Sequence, residues 1–90
     1  MAPYIGGSAL AMASQVAEGY TLVTAVQLKR LNEAELGQLR FELERLLRDL
    51  RGTQVRVDEV AAMQAKSRKT SRITSALQQI QLTLSRRRGP

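Results

Sequence analysis

Cysteine, histidine and tryptophan are all missing from these 90 residues, and each gap removes a class of function. Without cysteine there is neither a disulfide framework nor thiolate metal ligation. Without histidine the commonest general base and the commonest zinc ligand are gone. The serines and threonines then have no imidazole to activate them. Gly6-Gly7 is followed by no GK[ST], so it is not a phosphate loop. Glu42 and Glu44 fall on different helix faces and read as surface charge. No catalytic constellation, cofactor site or metal site is expected, and the chain reads as non-enzymatic. Aromatics are scarce as well. Tyr4, Tyr20 and Phe41 are scattered, which argues against base stacking of the single-strand-binder kind. No run approaches the roughly 20 apolar residues that span a bilayer. The first basic residue is Lys29, so the opening stretch lacks the charge of a secretory or transit signal. The expectation is a soluble, cytoplasmic protein with no transmembrane segment.

What the chain does contain is a leucine seam. Leu36, Leu39, Leu43, Leu46 and Leu50 alternate spacings of three and four, the a/d pattern of a helix facing another helix. Phe41 and Leu47 lie beside the seam and are expected to widen it. Asn32 with Glu35 three residues on makes a capping box at the start. Gly52 stands where a left-handed C-terminal residue is expected. A second helix is predicted from about Asp58, as N-cap, to Leu84 or a little beyond. Its seam is Ile73, Leu77, Ile80 and Leu84, with Ala76 beside it. Val60 and Met63 continue the seam towards the start, but Ser67 and Thr70 interrupt it. That polar middle is either loosely packed or turned to a partner. The connection Gly52–Val57 is short, so the two helices should run antiparallel. This register places Leu50 near Val60 and Leu36 near the Ile73 to Ile80 region.

The predicted fold is therefore all-α, an antiparallel two-helix coiled-coil hairpin over 27–90. Residues 1–26 form an N-terminal segment that is partly disordered or a short helix. Within it, Ser8–Ala17 can form a helix capped by Ser8 and broken at Glu18-Gly19-Tyr20. Thr21–Val26, rich in β-branched residues, reads as a strand or as a lead-in to the long helix. Thr24 with Gln27 is another capping box, so the long helix should begin between Thr24 and Asn32.

Charge is distributed unevenly along a chain of net charge +6. Every carboxylate side chain lies between Glu18 and Glu59. Every later charged side chain is basic: Lys66, Arg68, Lys69, Arg72, Arg86, Arg87 and Arg88. A cationic return helix suits a polyanionic or acidic partner; the plain alternative is a solvated helix face. The hairpin tip carries Asp58 and Glu59, which either cap a helix or present charge to a partner.

Two stretches, ELGQLRFELERLLRDLRG and VDEVAAMQAKSRKTSRITSALQQIQLTLSRRRGP, resemble the coiled-coil part of the DksA/TraR regulators. The likeness rests on Val57-Asp58-Glu59-Val60, Ala76-Leu77-Gln78-Gln79-Ile80 and the later Gly89. It implies binding to bacterial RNA polymerase through the secondary channel and regulation of transcription. Asp58 and Glu59 would act near the active site, and the basic return helix would dock the rod. The chain departs from that family in lacking the zinc-finger cysteines, and in having Ala61 where a second tip aspartate is usual. Leu31–Pro90 is also similar to the two-helix ribosomal proteins of the large subunit, which implies a ribosomal or other RNA-binding hairpin. A helical scaffold or assembly subunit that self-associates through its seam, and a helix lying on an anionic membrane surface, are the remaining alternatives.

Overall fold

Four helices and no strand make up the described part of the chain, residues 4–56 and 58–88 of a computed structural model. The side chain of Arg88 and expectations resting on Val57, Gly89 or Pro90 lie outside the described residues. The helices are α1 (Ala9–Glu18), α2 (Ala25–Lys29), α3 (Glu33–Gly52) and α4 (Val60–Arg88).

Local chemistry sets most of the boundaries. Ser8 accepts a hydrogen bond from the Ala11 N–H and starts α1. Gly19 ends it in the left-handed conformation, at φ 85°. Its N–H donates to Val16 O and the Tyr20 N–H to Gln15 O, the two bonds of a Schellman motif. Both capping boxes form: Thr24 with Gln27 at α2 and Asn32 with Glu35 at α3. These two caps divide what could have been one long helix. Thr21–Thr24 is irregular rather than a strand.

Gly52 behaves differently from the expectation. It is the last helical residue and does not take a left-handed conformation; the chain leaves α3 through extended Thr53. The Thr53 hydroxyl donates to Asp49 O and its N–H to Leu50 O, so the last carbonyls find donors without a glycine turn.

One core joins all four helices. α3 packs on α4, α1 packs against both, and α2 lies on α4. Leu36, Leu39, Leu43, Leu47, Ile73, Ala76, Ile80 and Leu84 are buried together, with Leu46, Leu50 and Leu77 partly buried against them. Met12, Ala13, Val16 and Ala17 of α1 belong to the same cluster, as do Val23, Leu28 and Leu31. α1 thus fills a flank that a two-helix arrangement would leave open. That flank holds Glu42, read from sequence as surface charge. Glu42 is instead only 6% exposed, with Arg45 at 3.8 Å, and lines a cavity with Tyr4 and Ala9. Glu44 stays exposed and pairs with Arg40.

Three apolar expectations are corrected. Phe41 does not widen the seam; it is 53% exposed. It lies two residues from both Leu39 and Leu43, which is roughly 200° around the helix from each. Val60 and Met63 do not continue the seam; both are exposed. The register differs too. Leu50 lines a cavity with Lys69 and Ile73, not with Val60. α4 has 29 residues and α3 has 20 residues. At about 1.5 Å of rise per residue, α4 is therefore longer by about 13 Å. No helix among the described residues is long and apolar enough to cross a membrane.

Candidate interaction surface at the connecting end

The stretch that carries the chain from α3 into the first turns of α4 is built unlike the rest. From Arg51 to Arg72 no described side chain is buried. The core begins again only at Ile73. The Lys66 ammonium donates to Thr53 O at 2.7 Å and fastens the connection to α4. Beside this bond lies an open groove of about 750 Å³. Arg51 and Val55 line one wall; Met63, Lys66, Ser67 and Thr70 line the other. Ser67 and Thr70 are the polar interruption of the α4 seam, and here they face this groove instead of a packed helix.

Within the connection, Asp58 does not precede the helix directly. α4 begins at Val60, and the Glu59 carbonyl accepts the Met63 N–H. The Asp58 carboxylate is paired with Arg56 at 3.3 Å and 3.5 Å. Both side chains are more than two-thirds exposed, so the pair contributes little to stability. It does offset the charge of one of the two tip carboxylates. Glu59 is exposed, with no ion-pair partner among the described residues.

The basic residues of α4 divide into two groups. Lys69 pairs with Glu18 at 3.0 Å, and the Arg72 guanidinium donates to Ala17 O at 3.1 Å. Both therefore clamp the C-terminus of α1, where a helix dipole favours cations. Arg87 donates to Leu28 O at 3.1 Å and to Lys29 O at 3.5 Å, doing the same for α2. Lys66 holds the connection. Arg68 and Arg86 are exposed and make no hydrogen bond or ion pair among the described residues. Arg88 closes α4. Lys66, Lys69, Arg72 and Arg87, read from sequence as partner contacts, are thus engaged by the chain's own carbonyls or by Glu18.

Only half of the groove carries a signal in the residue order. Ser67 and Thr70 stand out as misfits in the seam. Arg51, Val55 and the Thr53 carbonyl carry none, since only the register brings them to α4. Among the described residues no three Asp or Glu side chains converge as a metal site would require. Compared with models of known protein families, with curated proteins and with solved structures, the chain matches none.

Proposed function

We propose that this chain is a non-enzymatic binding protein that engages a larger macromolecule through the connecting end of an antiparallel α3–α4 hairpin. The carrying observation is the absence of any buried side chain among the described residues from Arg51 to Arg72. The turns of α4 from Val60 to Arg72 are wound into helix without serving the core. The antiparallel reading is supported by contacts that step apart along both helices: Lys66 meets Thr53, then Lys69 and Ile73 meet Leu50.

The partner we favour is a protein assembly. Its specific identity as RNA polymerase comes from the DksA/TraR resemblance, with Asp58 and Glu59 at the end that would enter. The RNA-binding reading is less favoured, because Lys69, Arg72 and Arg87 already have partners within the chain. Phosphate contacts would have to compete with these bonds.

Capture from native cell extract, with bound protein and RNA both identified, separates the readings. Asp58→Lys with Glu59→Lys should abolish retention of RNA polymerase while the helical content is unchanged. Equal or stronger retention of RNA by the variant, lost at high salt, overturns the proposal in favour of an RNA-binding hairpin.

A further inference from the structure

We infer that the groove between the connection and the first half of α4 is a docking site for an acidic amphipathic helix of a protein partner. This rests on the binding role proposed above and names the chemistry that the connecting end recognises. Three features carry it. First, the groove's charge is of one sign: Arg51 and Lys66 line it and no carboxylate does. Of the acids near it, Glu59 is exposed and unpaired among the described residues but does not line the groove. Asp49 faces the cavity on the α1 side, and Asp58 is held by Arg56. Secondly, Lys66 donates to Thr53 O at 2.7 Å. An ammonium has further N–H donors, so this one is fixed in place with donors left for an incoming carboxylate. Thirdly, the groove is not purely polar. Met63, 46% exposed, and half-buried Val55 give it an apolar strip. Methionine repacks readily around a guest side chain.

A cationic rim over an apolar strip fits an amphipathic helix with leucine-like residues on one face and glutamates flanking them. Charge alone would admit a nucleic acid strand as well. The groove holds no aromatic side chain on which a base could stack, and that decides for peptide.

The test is titration of the full chain, isotopically labelled, with a synthetic helix of about four turns bearing leucine on one face and glutamate on the other. Amide shifts should concentrate at Val55, Met63, Ser67 and Thr70. A lysine-for-glutamate version of the peptide should leave them unmoved. Arg51→Glu and Met63→Glu, both at exposed positions, should each weaken binding at least tenfold, and Arg86→Glu at the far end should not change it. The inference is overturned if Arg86→Glu weakens binding as much as Arg51→Glu, which means diffuse attraction. It is also overturned if a mixed-sequence RNA displaces the peptide from the same residues, or if the shifts appear on concentration of the chain alone, which means that a second copy fills the groove. Failure here while partner capture still requires Asp58 and Glu59 removes the groove and leaves the hairpin-end reading standing. Loss of both removes that reading too.

Discussion

The two halves of α4 belong to one helix and answer to different constraints. From Ile73 onward its side chains serve the core: Ile73, Ala76, Ile80, Thr83 and Leu84 are all buried. From Val60 to Arg72 none is, and the exposed set includes Val60 and Met63. The helix nevertheless runs unbroken across the boundary. Winding is therefore no measure of packing. The inner half is packed against α1, α2 and α3, while the outer half is held by its attachment to the inner one and by polar ties alone: Lys66 to Thr53 O, Lys69 to Glu18 and Arg72 to Ala17 O.

The difference can be broken most sharply by truncation. Leu43 is fully buried in the shared core. Leu43→Ala should cost about 2–5 kcal/mol in denaturant unfolding. Met63→Ala should stay within about 0.5 kcal/mol, as surface changes do. Similar costs at the two sites would mean that the outer half is packed in solution and that the contrast is wrong.

A smaller effect sharpens the role of α1. Gly19 holds a positive φ, and a Cβ there would stand 2.8 Å from the Arg72 guanidinium carbon. That guanidinium is the far end of a flexible side chain and can swing aside, but only by giving up its bond to Ala17 O. Gly19→Ala should destabilise the fold by about 1–2 kcal/mol through backbone strain and displacement of Arg72. Adding Arg72→Met should recover the displacement part and leave the strain. A neutral Gly19→Ala would show that α1 does not need its Schellman ending.

The smallest effect concerns pH. Tyr4 donates its hydroxyl proton to Glu35 O, and burial, followed by the nearby Glu35 carboxylate, raises its pKa above the usual 10.0. A raised folded value means that the neutral phenol is favoured in the fold. Its contribution is complete below that usual value and declines as pH climbs through the raised folded one. Wild-type stability should fall more than that of Tyr4→Phe across this alkaline window. Parallel curves would remove Tyr4 as a tie between the N-terminal segment and α3.

Much of this architecture can be read from residue order, because it depends on local chemistry. The Leu36 to Leu43 seam, the Ile73 to Leu84 seam, the Ser8 cap and both capping boxes are signals within a few residues of one another. The docking of α1 is not legible in the same way. Its buried face is Ala9, Met12, Ala13, Val16 and Ala17, mostly side chains too short to read as an apolar stripe, yet they allow close approach to α3 and α4. The burial of Glu42 follows from that docking and is hidden with it. The misplaced register arises at Gly52. Because the chain continues through extended Thr53 and not a left-handed glycine, it travels further before α4 starts, and Leu50 meets Lys69 and Ile73. For the candidate surface, the misfit of Ser67 and Thr70 is apparent from sequence. The partners that Lys69, Arg72 and Arg87 find inside the chain are not, because they are mainly backbone oxygens that residue type does not encode.

The Lys66–Thr53 bond has one more consequence. A helical stretch of about a dozen residues is marginal in water by itself, so the turns before Ile73 persist because the inner turns nucleate them. Unravelling must then start at Val60 and travel inward, and the Lys66 tether is the first latch that it reaches. A guest seated beside that latch would arrest the fraying. Part of its affinity would be spent on quieting the backbone, and slower amide exchange in the outer turns would register its arrival.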